Sequence, residues 1–335
     1  MPSSPAYGRR EEKSLQYVQL GRTGTRVSNI CFGTMSFGSY SDASTARAMY
    51  DHCRELGINF FDCANSYAGG GKAEAILGDL LGSDRDRVVI TTKVCRPMSQ
   101  DTNGSGLSRR HIMQEVENSL RRLKTDRIDV YFAHHYDPYT PPEETLRAFD
   151  DLQRQGKIIY AGVSNWAAWR IADAIGISRR EALARFDVVQ PMYNLVKRQA
   201  EFELFPLAQV MGLSVMVFSP LASGLLTRAN ANTSGQRSGR LAEARYLKRY
   251  EDQRNFEIAA EFCAIADEVG VDPAMLAVAW AASHPAVTVP IIGAESVEQV
   301  GNYVEAVNFA MTPELRQRIS DLSPLPTYEI ERTID

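Results

Sequence analysis

The feature that most constrains this chain is a repeated alternation of short apolar runs with amphipathic segments. Eight runs of four to seven residues are apolar throughout and rich in β-branched and aromatic side chains, which is typical of strands buried on both faces. This order favours a (β/α)8 barrel of the TIM type, and pattern alone leaves a doubly wound open sheet as the alternative. The predicted strands are residues 29–33, 59–62, 88–93, 128–134, 158–164, 187–192, 214–219 and 287–293. The predicted helices are residues 44–56, 72–81, 108–123, 141–155, 167–175, 199–211, 255–269 and 296–306.

The length of 335 residues fits either two domains or one barrel of about 250 residues with additions. We expect a single barrel domain over residues 1–335, with a loose tail at residues 1–13 and a β-hairpin in residues 17–28. Residues 227–251, after the seventh strand, are long, polar and rich in Arg, Ser, Asn and Gly. Loops of this length in compact domains are usually functional, so we expect a mobile lid loop over a site.

Composition excludes several classes of protein. The chain is 44% hydrophobic and 23% charged, which excludes wholesale disorder, and its net charge of −4 gives no basic footprint for nucleic acid or anionic membranes. The N-terminus lacks the apolar core of a signal peptide, and no apolar run reaches the length of about 20 residues that a bilayer requires. Five cysteines without CxxC or metal-ligand spacing predict reduced thiols, a cytoplasmic location and no metal site; they are Cys31, Cys53, Cys63, Cys95 and Cys263.

Four side chains with complementary chemistry fall at the ends of neighbouring predicted strands. Asp62 ends the second strand, Tyr67 follows it, Lys93 ends the third strand and His134 ends the fourth. Catalysis in a barrel gathers at these carboxyl ends. A phenol beside a cation held by a carboxylate suits proton transfer to a carbonyl oxygen, which a histidine can orient. Taken singly, the aspartate is equally explained as a turn cap, the lysine as a solvated charge and the histidine as a buried core residue.

The order of motifs closely resembles the aldo-keto reductase superfamily over about residues 15–310. The resemblance rests on NFFDCANSYAGGGKAEAILG, VVITTK, IDVYFAHHYDP, GKIIYAGVSN, DVVQPMYNLVKR, FSPLASGLLT and VPIIGAES, and it is greatest for bacterial reductases grouped with potassium-channel β subunits. It implies a (β/α)8 barrel, a nicotinamide cofactor and a catalytic tetrad. In that tetrad Tyr67 is the general acid, Lys93 and Asp62 tune it, and His134 orients the substrate carbonyl.

The resemblance also implies the cofactor contacts. It assigns the nicotinamide carboxamide to Ser164, Asn165 and Gln190, and it places Phe218 against the nicotinamide ring, where plain core packing is the alternative. The implied pyrophosphate loop comprises Ser219, Leu221, Ser223, Gly224 and Leu225, with Arg228 as a counter-charge. The implied adenosine end comprises Gly293, Ala294, Ser296 and Gln299.

This chain departs from the family pattern at the adenosine end. Glu295 stands where relatives usually carry a cation, and Asn302 stands where an acid-Asn pair is expected. A carboxylate repels a 2′-phosphate but accepts a hydrogen bond from a free ribose, so NAD(H) is plausible although the family default is NADP(H). Arg228 or another arginine of the 227–251 segment is the candidate that would restore NADP(H) binding.

The expected function is NAD(P)H-dependent reduction of aldehydes or ketones, or oxidation of the matching alcohols. The alternative is a redox-sensing regulatory subunit that binds the cofactor with little turnover. A small-molecule carbonyl or alcohol is the expected partner, and a homo-oligomer is possible. The expected substrate pocket has a mixed aromatic and polar wall, with Cys95 as the thiol to test for reactivity; it comprises Met35, Phe37, Cys95, Arg96, His135, Tyr136 and Trp166.

Overall fold

A computed structural model of the chain describes residues 15–231, 237–323 and 325. Eight parallel strands close into a barrel, which confirms the predicted architecture and makes the open-sheet alternative wrong. Around the barrel the eight strands follow chain order, and the eighth barrel strand pairs with both the first and the seventh barrel strands. The barrel strands are β3 (Cys31–Gly33), β4 (Phe60–Asp62), β5 (Val89–Val94), β6 (Ile128–Ala133), β7 (Ile158–Ser164), β8 (Phe186–Gln190), β9 (Ser214–Val217) and β10 (Val289–Ile292).

The predicted N-terminal hairpin is confirmed as the antiparallel pair β1 (Tyr17–Gln19) and β2 (Arg26–Ser28). Its Leu20 and Val27 are fully buried and pack in one cluster with Phe60, Val130 and Met216 from inside the barrel. The hairpin therefore closes the amino end of the barrel with apolar side chains. The predicted catalytic residues belong to the opposite, carboxyl end. The predicted tail at residues 1–13 lies outside the described residues.

Helices surround the barrel and bury one face each against the outward side chains of the strands. Polar side chains begin several of them: Asp42, Ser108 and Asp272 each accept a hydrogen bond from a backbone N–H of the first turn. The helices are α1 (Ala43–Glu55), α2 (Lys72–Leu81), α3 (Arg109–Leu123), α4 (Pro142–Arg154), α5 (Ala168–Glu181), α6 (Leu204–Met211), α7 (Ala244–Tyr250), α8 (Gln253–Val269), α9 (Pro273–Ala282), α10 (Val297–Val307) and α11 (Pro313–Asp321).

The 227–251 segment is not one continuous loop, so that expectation is wrong in part. Residues 232–236 lie outside the described residues, a 3-10 turn covers Gly239–Ala242, and α7 follows it. Leu241 and Tyr250 are fully buried, which anchors the segment to the barrel. The reason is physical: buried Leu241 stabilises the 3-10 turn and buried Tyr250 stabilises α7, although the residues around them look like a polar loop.

Candidate active site

Three of the four predicted tetrad residues lie at the carboxyl ends of neighbouring barrel strands. Asp62 is the last residue of β4, Lys93 precedes the last residue of β5, and His134 follows β6 directly. Alternation along a strand directs Lys93 inward and its neighbour Thr92 outward. Tyr67 comes from the loop after β4, and its ring centroid lies 6.2 Å from that of His134.

Lys93 is the centre of the tetrad and is fully buried. Its Nζ donates to both carboxylate oxygens of Asp62 at 2.8 and 2.7 Å and to the Cys63 carbonyl at 2.7 Å. It also lies 3.2 Å from the Tyr67 hydroxyl. Asp62 Oδ1 additionally accepts from the Thr91 hydroxyl at 2.6 Å. These charge-assisted hydrogen bonds fix the carboxylate in place, and the carboxylate holds the ammonium beside the phenol.

The two central pKa values are set by burial and by charge. Burial lowers the pKa of Lys93, but Asp62 and Tyr67 raise it above its usual value. Burial raises the pKa of Tyr67, and the lowering effect of Lys93 is smaller. Burial thus outweighs the charge of the nearby ammonium, and the pKa of Tyr67 lies above its ordinary value. The phenol is consequently protonated at neutral pH.

Two histidines stack at the end of β6, with ring centroids 4.8 Å apart. Burial, together with the charges of Lys93, His135 and Arg96, holds the pKa of His134 well below its usual value. Burial and Arg96 lower the pKa of His135 to about 4. Nδ1 of His134 and Nε2 of His135 are buried without a hydrogen-bond partner in the described part of the chain. Two neutral imidazoles therefore offer unused polar atoms at this end of the barrel.

The residues assigned to the nicotinamide carboxamide adjoin the tetrad. Gln190 Nε2 donates to Asp62 Oδ1 at 2.8 Å, and the Ser164 hydroxyl donates to the Gln190 carbonyl at 2.8 Å. Asn165 donates through Nδ2 to the His134 carbonyl at 3.0 Å and to Ser164 Oγ at 2.9 Å. Asn165 has φ of 58°, a left-handed conformation that asparagine tolerates. One hydrogen-bond network thus links these three side chains to the tetrad.

The loop after β9 has an unusual backbone. Ser219, Ala222 and Ser223 have φ of 57°, 52° and 61°, and Gly224 has φ of 93°. A residue with negative φ followed by a left-handed one, as Leu221 with φ of −85° is followed by Ala222, can direct successive backbone N–H groups into a concavity that binds an anion. Phe218 is partly buried against the barrel-interior cluster, while Leu221 is partly buried and Leu225 fully buried against the core around the barrel.

Sequence reasoning missed the side chains that hold this loop. Asn194 Nδ2 donates to the Ser219 carbonyl at 3.0 Å. Asn230 is buried, and its Nδ2 donates to the Gly224 carbonyl at 3.1 Å while its Oδ1 accepts from the Ser238 N–H at 2.8 Å. Asn230 therefore ties the 227–251 segment to the loop. Its position inside a polar, loop-like stretch gave no sign of burial.

Several predicted adenosine-end residues are engaged in helix capping and ion pairing. Ser296 begins α10 by accepting from the Gln299 N–H, and Gln299 Oε1 accepts from the Glu295 N–H at 2.8 Å. Arg228 is exposed and pairs with Asp267 of α8. Gly293, Glu295 and Asn302 are exposed, whereas Ala294 is buried and its carbonyl accepts from Ser36 Oγ.

Arg240, from the 227–251 segment, lies beside Gly293 of the predicted adenosine end. A methyl group placed on Gly293 would lie 3.4 Å from Nη2 of Arg240. The guanidinium lies 5.3 Å from the centroid of the Tyr40 ring, and the Tyr40 hydroxyl donates to Glu243. Burial raises the pKa of Tyr303 to about 12, with Arg240 and Glu295 acting on it in opposite directions. The segment therefore crosses from β9 past β10 to the loop after β3.

The predicted substrate pocket is brought together only in part. Tyr136 and Trp166 meet edge to face at 5.3 Å, and Trp166 Nε1 is buried without a partner among the described residues. Arg96 is exposed near the histidines, and Met35 is partly buried. Phe37 is fully buried and packs on Phe32 at 5.8 Å, so its environment is that of a core residue.

Cys95 combines an unusual backbone conformation with a thiol whose pKa is raised. Its φ is 135°, which is strained for a residue other than glycine. Burial raises the pKa of its thiol to about 11. Since the thiolate is the reactive form, this raised pKa predicts a slow reaction for the thiol that the sequence singled out for testing.

No helix among residues 15–231, 237–323 and 325 is long and apolar enough to cross a membrane. Within the same ranges, no group of three or more His, Cys, Asp or Glu side chains is arranged to hold a metal ion.

Comparison with known proteins places the geometry in a family. The sequence matches the aldo/keto reductase family over residues 29–323. It is 37% identical to an uncharacterized oxidoreductase, YrpG, of Bacillus subtilis (strain 168), covering 94% of this chain and 98% of that protein.

Two further relatives carry different names. The chain is 38% identical to a probable voltage-gated potassium channel subunit beta of Oryza sativa subsp. japonica, covering 91% of this chain and 95% of that protein. It is 33% identical to versiconal hemiacetal acetate reductase of Aspergillus parasiticus, covering 92% and 96%. With the closed parallel barrel and the family match over most of its length, this chain belongs to the aldo/keto reductase family.

Proposed function

We propose that the protein reduces aldehydes or ketones, and oxidises the matching alcohols, with NAD(P)(H) and with Tyr67 as the general acid and base. The observation that carries this proposal is the phenol of Tyr67, held 3.2 Å from the buried ammonium of Lys93, whose charge Asp62 balances. A bound nicotinamide supplies or accepts the hydride. The protein must then move one proton to or from the substrate oxygen.

The tetrad accounts for that proton. The phenol carries its proton at neutral pH, and in reduction it donates that proton to the carbonyl oxygen, with the charge of Lys93 offsetting part of the effect of burial. Lys93 then stabilises the phenolate that remains, and a proton from solvent restores the phenol. His134 is neutral at that pH, and its ring, whose centroid lies 6.2 Å from that of Tyr67, is the group we propose to orient the carbonyl oxygen. In alcohol oxidation the same proton moves in the opposite direction.

The residues present fit a dinucleotide. Ser164, Asn165 and Gln190 place two amide groups and a hydroxyl beside the tetrad, which suits a carboxamide. The turn at residues 219–224, in which Leu221 has φ of −85° and Ala222 and Ser223 are left-handed, is of a kind that gathers backbone N–H groups around an anion, which suits a pyrophosphate. Phe218, which is half-buried, would lie against the nicotinamide ring.

For cofactor preference we propose that NADP(H) is bound through Arg240, with Glu295 acting against it. Arg240 lies next to Gly293 and comes from the segment that crosses the barrel, whereas Arg228 is paired with Asp267. A guanidinium forms strong, charge-assisted hydrogen bonds with a 2′-phosphate, and a nearby carboxylate weakens them. Arg240 thus takes the role that relatives give to a cation near position 295.

Cofactor titrations test the proposal directly. We expect reduced cofactor to quench the protein's tryptophan fluorescence on binding and to be oxidised when members of a panel of aldehydes and ketones are added. Arg240→Gln is expected to weaken NADPH binding about tenfold with little change for NADH, while Glu295→Arg strengthens NADPH binding. Equal effects on both cofactors would remove Arg240 from this role. Failure to bind either cofactor would refute the function itself.

A regulatory subunit is the second candidate, because the rice relative is named as a probable potassium channel subunit beta. A regulatory subunit would retain the tetrad but release its cofactor slowly. Pre-steady-state kinetics with substrate and reduced cofactor in excess distinguish the two: an enzyme repeats its first turnover at a similar rate, whereas a redox sensor shows one fast turnover followed by slow cofactor exchange.

A further inference from the structure

We infer that Arg122 of α3, which lies outside the barrel, is a positioning residue that fixes Tyr67 relative to Lys93. This inference rests on the proposed function, because it concerns how the same tetrad is held. Arg122 contacts neither of these two side chains. It acts through two buried carboxylates, Glu74 of α2 and Glu115 of α3.

The first arm reaches the strand that carries the lysine. Arg122 Nε donates to Glu74 Oε2 at 2.6 Å, and Glu74 is fully buried in the first turn of α2. The other oxygen of Glu74 accepts from the hydroxyl of Thr92, which is the residue next to Lys93 on β5. Because neighbouring strand residues point to opposite faces, a hold on Thr92 from outside sets the depth of Lys93 inside.

The second arm reaches the loop that carries the phenol. Arg122 Nη2 lies 3.4 Å from Glu115 Oε2, and the same oxygen accepts from Asn65 Nδ2 at 3.0 Å. Asn65 is fully buried two residues before Tyr67, and its backbone N–H donates to the Lys93 carbonyl at 3.3 Å. One arm therefore holds the residue next to Lys93, and the other holds a residue of the loop that carries Tyr67.

The residues around the Arg122 guanidinium leave space for it and, among the described contacts, supply no other cation in its place. Gly71, with φ of 84°, precedes α2, and a Cβ there would lie 2.4 Å from Arg122 Cδ and Nε. Burial lowers the pKa of Arg122, but the two carboxylates raise it above its usual value. Without Arg122, two buried carboxylates would face each other with no cation between them in the described contacts. Loosening both arms displaces Tyr67, and a displacement of about 1 Å costs about a hundredfold in rate.

The test compares Arg122→Gln with Arg85→Gln. Arg85 makes a comparable buried ion pair with Asp129 at 2.8 Å, toward the amino ends of β5 and β6 and away from the tetrad. Both variants are expected to melt at a lower temperature. Only Arg122→Gln is expected to lower kcat, by about 10- to 100-fold, with a cofactor Kd within about twofold of the native value.

A second readout does not depend on turnover. In protein labelled with carbon-13 at the tyrosine Cζ, the Tyr67 resonance, assigned through its loss in Tyr67→Phe, is expected to move in Arg122→Gln and to stay in Arg85→Gln. Thr92→Val, which removes one arm, is expected to give a smaller shift in the same direction and replaces Arg122→Gln if that variant does not fold. An unmoved resonance with native kcat would overturn the inference. A protein without any reductase activity would refute the proposed function, while the resonance would still report on Arg122.

Discussion

Replacing Asp62 with asparagine removes the charge that balances the buried ammonium of Lys93. The two are in contact at 2.7 Å, and the lysine side chain is 0% exposed. Breaking a buried pair by removing one partner costs about 3–5 kcal/mol. With an unfolding entropy of about 2.1 cal/mol/K per residue, a chain of this length should lose about 4–7 °C in Tm.

The pH dependence of this loss of stability identifies the buried Lys93 ammonium as its cause. In the native protein the lysine pKa is raised, so its contribution to stability is fully present below the unfolded pKa of about 10.4 and is lost only as pH rises through the folded value. In Asp62→Asn, burial acts without compensation and the folded pKa falls below the unfolded one. The unfolded variant then binds the additional proton, so the variant gains stability as pH rises, by up to about 1.4 kcal/mol per unit.

The assay is thermal unfolding, followed by circular dichroism, of both proteins between pH 7 and 9. We expect the Tm difference to narrow steadily as pH rises. Asp129→Asn is the matched control, since its partner Arg85 cannot lose its proton and the deficit should stay constant. An unchanged Tm for Asp62→Asn, or a deficit that does not vary with pH, would refute the assignment of a buried charge pair.

Three further predictions concern groups around the tetrad. Because burial raises the thiol pKa of Cys95 to about 11, iodoacetamide should modify it at pH 7.5 roughly a hundredfold more slowly than a free cysteine, and labelling at the free rate, lost in Cys95→Ser, would contradict this. Because the pKa of His134 is well below its usual value and that of His135 is about 4, kcat/KM for reduction should be flat from pH 5.5 to 8. An inflection near pH 6.5 that His135→Asn abolishes would show that a histidine titrates in this range. Asn230→Ala leaves buried backbone groups unpaired at a cost of about 1–3 kcal/mol, so trypsin should cleave within residues 227–251 faster than in the native protein; an unchanged cleavage rate would deny this tie.

The barrel was predictable because its signal is local. Each strand is a short apolar run, and the carboxyl end of the run indicates which residues face the site. This is why Asp62, Lys93 and His134 were located by position alone. The predicted strand bounds differ from the observed ones by at most two residues, as at β10, where the strand covers Val289–Ile292 within the predicted 287–293.

The rest depends on contacts between residues distant in sequence. Residues 313–321 form α11, which no strand follows and which the alternating pattern therefore did not predict. Arg240 reaches Gly293 only because Leu241 and Tyr250 are buried, and nothing local in a polar segment reveals burial. The raised pKa of Tyr67 likewise follows from burial, which residue type and spacing do not specify.

The most direct test of the central claim is the rate of cofactor oxidation in Tyr67→Phe with an aldehyde that the native protein reduces. The substitution removes one hydroxyl and leaves Lys93 and Asp62 in place. Since general acid catalysis contributes about 10²–10⁴-fold, we expect kcat to fall by at least a hundredfold while the cofactor Kd stays within about twofold of the native value. A variant that turns over within tenfold of the native rate would contradict the assignment of Tyr67 as the proton donor.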